Sequence, residues 1–277
     1  MIKNSYFPQG FIQETMFVPF YARATFSKLY PELLEDSMSF KILKKLDDVD
    51  FSRVKKYLTQ YNGLIYIERA RNFDNALKKY MKKYPSTTVV NLGAGLDTTF
   101  NRIDNGNIKF YDLDLPDAIE YRKKFIPETP RNRSIAKSIF DQSWFDDVEF
   151  QPERGIFLIA GGLFGYFKED KIAGLVQAMA RRFPGGELIF DGVSQLLLLL
   201  DNKKKERLGY TGYLWKFPIK NPEKQFPNWS KKIKVVEHFL YWEKIPRNQK
   251  WSLKTHLYMR FSNLLKLQRI VHLRFLK

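Results

Sequence analysis

The sequence predicts an α/β fold: a parallel, doubly wound sheet of seven strands with helices on both faces, preceded by a helical N-terminal cap. Three observations predict it. After Pro85, short β-branched and aromatic runs alternate with helix-length amphipathic segments, which is the rhythm of a sheet built from βαβ units. The run Val89 to Asp97, VVNLGAGLD, sets Gly93 and Gly95 directly after the first strand. The next strand ends in Tyr-Asp-Leu-Asp, which puts Asp114 21 residues beyond Gly93.

Before residue 85 the pattern is helical, with Phe73, Leu77, Tyr80, Met81 and Tyr84 on one stripe at three- and four-residue spacing. Residues 1–85 are therefore expected to form the cap or lid, and residues 86–277 the catalytic core. Core strands are expected at Thr87 to Leu92, Ile108 to Asp114, Ile135 to Phe140, Ile156 to Ala160 and Glu187 to Asp191. The connector Lys168 to Phe183 carries Ile172, Leu175, Val176, Met179 and Phe183 on one face and stops before Pro184-Gly185-Gly186. Residues 194–236 break the rhythm with a Leu-rich helix, a basic stretch and then aromatic and proline residues, and they read as an insertion covering the site. Two more strands are expected, near Phe239 to Lys244 and at Arg269 to Phe275. In the latter, Val271, Leu273 and Phe275 alternate inward against His272 and Arg274.

A chain of 277 residues buries enough surface for one large domain or a domain with an appended cap. With 44% hydrophobic and 28% charged residues it has a globular composition. It contains no cysteine, which excludes disulfides, thiolate metal sites and cysteine nucleophiles and fits a reducing cytoplasm. The longest apolar run, Leu196 to Leu200, is far short of the roughly 20 residues of a membrane span, and the start MIKNSYFPQG has no secretory pattern. A cytoplasmic chain with no membrane partner is the expectation. The net charge of +17 suits RNA, an anionic membrane surface or an acidic substrate, but it is spread along the chain. Its densest run, Lys203 to Lys205, reads as the solvated face of a helix. No internal repeat or linker-like stretch is present.

Glycine at 93 and 95 lets the backbone turn tightly and approach a ligand closely. A dinucleotide-binding loop would carry a third glycine at position 98, where this chain has Thr98, so a nicotinamide or flavin cofactor is disfavoured. Asp114 stands at the spacing from which a carboxylate at the second strand's tip accepts hydrogen bonds from both hydroxyls of a ribose. Asp112, in the same block, is read as the less favoured candidate. The plain alternative is an ordinary turn, with Asp114 capping a helix that starts at Pro116.

These blocks resemble the leucine carboxyl methyltransferase family, in the branch of the polyketide-synthesis (tetracenomycin-type) O-methyltransferases. The resemblance runs through ETMFVPFYARA at Glu14 to Ala24, RAR-x-x-D at Arg69 to Asp74, NLGAGLDTTF, YDLDLP, FDQSW, AGGLFGYF at Ala160 to Phe167, FPGGELIFD and the closing RIVHLRF. It implies a class I methyltransferase (Rossmann-like) fold with S-adenosylmethionine as methyl donor. It further implies Arg71, with Arg69 as the alternative, on the methionine carboxylate, where a guanidinium fork suits the geometry. Gly93, with Ala94 and Gly95, would approach the methionine part, and Asp114, with Leu115 beside it, the ribose. Ser138, Ile139 and Asp141 match the positions that hold the adenine. A family aspartate falls on Ser138, which moves the acceptor role to Asp141. Gly161 stands where many members carry a glutamate, so a polar contact near the methyl donor is missing or supplied differently. Asp97 and Thr98 are read as holding the loop.

A sulfonium methyl is already activated, so the protein must align the acceptor and exclude water. A carboxylate acceptor, with a pKa of about 4, needs no base, whereas a phenol near 10 benefits from one. Tyr166 and Tyr213, with Trp215, are candidates to face and position the acceptor. His238, His256 and His272 are candidate bases but carry no motif. No pattern of histidines, cysteines or clustered carboxylates points to a metal. O-methylation of a small molecule is the leading expectation. The alternatives are methylation of RNA such as modified tRNA, and a non-catalytic S-adenosylmethionine-binding protein.

Overall fold

The computed structural model describes residues 16–46, 49–207, 214–246 and 248–277. Among the described residues four helices precede the first strand: α1 (Phe17–Leu29), α2 (Ser37–Leu43), α3 (Ser52–Tyr57) and α4 (Gln60–Lys83). Side-chain oxygens start two of them. Asp36 accepts from Ser39 N at the head of α2, and Thr59 accepts from Asn62 N at the head of α4, each satisfying an amide that the helix itself leaves unpaired.

The seven strands are β1 (Thr88–Leu92), β2 (Lys109–Asp114), β3 (Asn132–Ala136), β4 (Ile156–Ala160), β5 (Glu187–Val193), β6 (Ile233–Leu240) and β7 (Gln268–Phe275). They lie in the order β3-β2-β1-β4-β5-β7-β6. β1 to β5 pair in parallel, and β7 runs antiparallel to both β5 and β6, so the sheet is mixed at one edge rather than parallel throughout. Between the strands lie α5 (Thr99–Ile103), α6 (Pro116–Lys123), α7 (Trp144–Asp147), α8 (Glu169–Arg182), α9 (Gln195–Arg207), α10 (Pro222–Gln225) and α11 (Leu253–Leu264). The chain winds outward from β1 to β3 and then returns to β4 on the other side of β1. That reversal opens a crevice at the carboxyl ends of β1 and β4.

β1 and β4 are buried at every position, as central strands covered on both faces must be. One face packs Trp144, Met179, Phe183, Phe190 and Phe226 into a single cluster. On the other, Phe73, Leu77 and Tyr80 of α4 pack with Val89, Phe110, Phe157 and Ile189. The stripe read from the sequence is therefore the face that α4 lays on the sheet. Residue 85 marks where strands begin, but α4 shares its core with them.

Three strand expectations are corrected. β3 ends at Ala136, not Phe140, because Ser138 Oγ accepts from Phe140 N and Asp141 Oδ1 from Ser143 N, local bonds that turn the chain out of the sheet. β6 begins at Ile233, so the insertion ends at about 232, and Tyr241 to Glu243 form a turn. In β7, His272 is as buried as its neighbours, its Nε2 2.8 Å from the Glu187 carboxylate, because a helical layer covers that face too.

Glu68 on α4 is fully buried. Its Oε1 accepts from Arg71 and Asn72, while Oε2 has no partner. Burial pushes its carboxyl up to about 7 from an ordinary 4.5. A raised folded-state value means that the native chain keeps this proton while the unfolded chain loses it, so stability falls as pH rises from about 4.5 to about 7. Glu68→Gln keeps the acceptor and removes the titration. Urea melts across that window are expected to show the wild type losing on the order of 3 kcal/mol relative to the variant, and parallel curves would contradict this.

Candidate functional site

β1 delivers the chain into a loop that only small residues allow. Gly93 and Gly95 take φ of +67° and +45°. A Cβ on Gly93 would stand 2.8 Å from the Leu163 side chain. Gly93 N and Ala94 N both donate to Leu113 O, which locks the loop to β2. Asp114 at the tip of β2 accepts from Gly95 N (2.7 Å) and Leu115 N (2.8 Å), and burial raises its carboxyl above the usual range. α6 starts at Pro116 without a side-chain cap, so Asp114 braces the glycine loop and is not the cap of that helix. Asp112, two residues back and so on the same face of β2, contrary to expectation, is buried away from the cavity and paired with Arg122 (2.6 Å) and Asn91 (3.1 Å).

A buried ion cluster holds this loop from the helical side. Asp36 lies between Arg23 Nε (3.3 Å) and Arg102 Nη1 (3.1 Å), and also accepts from Thr98 Oγ1. Arg102 forks onto Asp74, and Arg23 donates to Leu96 O and approaches Asp97 at 3.6 Å. Burial works against the Asp97 charge, but Arg23 and Arg102 outweigh it and hold that carboxyl well below the usual range. Thr98 and Asp97 thus face structural partners.

A cavity of about 1320 Å³ opens over the carboxyl ends of β1 to β5. That exceeds the roughly 300–1,000 Å³ of a single-ligand site. Gly93, Ala94, Gly95, Asp114, Leu115, Ser138, Ile139 and Gly161 all line it. Asp141 does not: it sits in the turn after β3 with its carboxylate on Ser143 N. Arg71 is also outside, bonded to Glu68 and to Lys244 O. Of the two, Arg69 lines the cavity, because two residues along a helix turn a side chain by about 200° and only one of the pair can face the sheet. A Cβ on Gly161 would stand 3.1 Å from the Phe73 ring, which leaves a larger side chain there little room.

Arg69 is held by a carboxylate that the sequence reading passed over. Asp191 on β5 accepts from Gly162 N (2.5 Å), from Tyr241 Oη (2.7 Å) and from Arg69 Nη1 (3.4 Å). Its position at the end of the FPGGELIFD block, on a strand tip like Asp114, was the available clue. Next to Arg69 the cavity has an aromatic chamber, with Tyr57, Tyr66, Tyr166 and Trp215 among its walls and Lys204 and Lys205 of α9 from the insertion. Trp215 is fixed by two bonds to the Asn202 amide, and Lys205 Nζ lies 4.6 Å from the centre of its ring. The Tyr66 hydroxyl, enclosed by protein and close to Tyr57, is pushed well above its ordinary pKa. Tyr213 lies outside the described residues. His238, His256 and His272 do not line the cavity: they contact Arg269, Trp251 and Glu187.

The leucine carboxyl methyltransferase family model matches residues 8–180. The chain belongs to that family. Among curated relatives, the tetracenomycin polyketide synthesis O-methyltransferase TcmP of Streptomyces glaucescens is 28% identical over 212 residues, 76% of each chain. A solved structure of a putative methyltransferase from Thermobifida fusca superposes with a TM-score of 0.58 at 16% identity, covering 78% of this chain and 83% of that one. A DUF574 family protein from Streptomyces avermitilis gives 0.55 at 12% identity, over 76% and 83%. By family this chain is a methyltransferase, and the architecture is the Rossmann-like methyltransferase fold.

Two glycines with left-handed backbone separate strain from close approach. Gly106 has φ of +84° and open space around its missing Cβ, whereas Gly93 combines φ of +67° with the Leu163 contact. Gly106→Ala is expected to cost about 1–2 kcal/mol in urea unfolding from backbone strain alone. Gly93→Ala is expected to cost distinctly more, and equal losses would show that the Leu163 contact is soft.

Proposed function

We propose that this methyltransferase uses S-adenosylmethionine to methylate an oxygen of a small molecule. The observation that carries the reading is one continuous cavity joining the Gly93 loop and Asp114 to an aromatic chamber, with Arg69 between them. When bound, S-adenosylmethionine supplies a sulfonium methyl that needs no further activation. The residues fit it: Asp114 keeps lone pairs toward the cavity beside its two backbone bonds, and Gly93 is kept free of a Cβ by the Leu163 side chain. Asp114 would accept from the ribose hydroxyls, Ser138 and Ile139 would border the adenine, and Arg69, oriented by Asp191, would take the methionine carboxylate.

The chamber favours an acceptor oxygen that is already ionised. No histidine faces it, and enclosure keeps the Tyr66 hydroxyl protonated at neutral pH, so it donates a hydrogen bond and does not act as a base. Lys204 brings a positive charge to the same chamber, beside Lys205, which is paired with Asp201. A carboxylate meets these conditions without a base, and an acidic phenol meets them next. The tetracenomycin relative, an O-methyltransferase of polyketide synthesis, supports oxygen as the acceptor.

Titration calorimetry with S-adenosylmethionine tests the reading. Asp114→Asn and Arg69→Gln each remove a charged hydrogen bond and are expected to weaken binding tenfold or more, while Arg71→Gln leaves it unchanged. Absence of wild-type binding at millimolar cofactor defeats the proposal. Turnover on a panel of carboxylates and phenols then ranks the acceptors, with carboxylates expected first.

A further inference from the structure

Helix α11 buries the wrong residues for a helix that ends at water. Thr255, Met259 and Ser262 face the protein, while Leu253, Leu257, Phe261 and Leu264 lie along the outer face at spacings of four, four and three. Leu253 is 76% exposed, Phe261 56% and Leu264 74%. A soluble surface helix shows the reverse pattern. The helix is firmly seated, since Tyr258 packs edge-on against Tyr61 of α4 and Ser252 caps its start. The exposed face is therefore a fixed feature of the fold.

The apolar surface continues. Leu267 O, just beyond α11, accepts from Ser194 N at the head of α9, and α9 exposes Leu196, Leu199 and Leu200. Leu197 of α9 and Gln268 both line the cavity, so the two exposed faces flank its mouth. Charge decides what covers them. After Glu243 the chain contains no Asp or Glu but carries nine Lys and Arg; Lys244 and Arg274 are paired with Glu237 and Glu187 and Arg269 is buried, which leaves the cations on and beside α11 to face outward. Lys254 and Arg260 are exposed on α11 itself and Lys266 just past its end. A second copy would set this charge against its own kind, and a nucleic acid has no contact to make with leucine and phenylalanine at this density. Among the described residues no helix is long and apolar enough to cross a membrane.

We propose that α11, with the exposed start of α9, docks the protein on an anionic lipid surface, leucine and phenylalanine entering the headgroup boundary and the lysines meeting the lipid charge. This holds the cavity mouth against the bilayer. It stands apart from the cofactor reading and is tested without cofactor.

Sedimentation of the full chain with vesicles of phosphatidylcholine, with and without phosphatidylserine, supplies the test. The wild type is expected on the phosphatidylserine vesicles and to be released by salt. Leu257→Asp combined with Phe261→Asp is expected to lose more than tenfold in partitioning. Lys254→Gln, which leaves the apolar face intact, is expected to lose about fivefold, and it serves should the double variant melt early. Equal partitioning of wild type and both variants overturns the assignment. So does a wild-type dimer that the double variant dissolves while neither binds vesicles, or retention on RNA without vesicle binding.

Discussion

The buried carboxylate of Asp36 is the constraint from which the site follows. A glycine loop with two left-handed residues does not hold its shape by itself, and here it is clamped from both sides. Asp36, placed at the head of α2, gathers Arg23, Arg102, Thr98 and Ser39 on one side. On the other, Arg122 donates to Gly95 O and Asp97 O while paired with Asp112. Burying such charges costs several kcal/mol per ion unless every partner is present, and removing one partner typically costs 3–5 kcal/mol. The helices ahead of β1 are therefore part of the glycine loop's support. Thr98 makes the same point: in place of a third glycine it supplies the hydroxyl that Asp36 needs.

How much of this was legible depends on whether the signal was periodic. β1, β2 and β4 stand within a residue of their expected bounds because they are continuous apolar or alternating runs ended by glycine or aspartate. The place of Asp114 at the tip of β2 followed from spacing, since a strand of fixed rise followed by a loop of fixed length leaves its tip in one place. The choice between Arg69 and Arg71 was also legible. Arg69 lies four residues before Phe73 and eight before Leu77, on the stripe that meets the sheet, and Arg71 is off it. The family pattern drew attention to Arg71, and helix phase puts Arg69 on the side that lines the cavity. Illegible were the bonds of Ser138 and Asp141 that end β3 early, and the pairing of Asp191 with Tyr241 across 50 residues. Such contacts join segments that no local pattern relates.

The cavity's two halves answer to different physics. Around Asp114 and Gly93 the walls are backbone amides and a few fixed charges, which recognise a ligand by geometry. Around Tyr66, Tyr166 and Trp215 they are aromatic faces and lysines, which tolerate many shapes so long as they are flat and negative. Arg69 belongs to both, since its guanidinium lies over the Tyr66 ring at 5.5 Å while its charge is held by Asp191. The two halves of the cavity thus share a cation that neither holds alone.

Charge counted over the whole chain concealed its distribution. A total of +17 looked evenly spread because Lys203 to Lys205 was the densest run, yet an acid-free tract of 34 residues is the stronger departure from randomness. In the same region the inner side of α11 holds Thr255, Met259 and Ser262, with Met259 in one cluster with Trp242 and Trp251, while its leucines and Phe261 face outward. In a chain this basic, the surface able to take them is both apolar and negative.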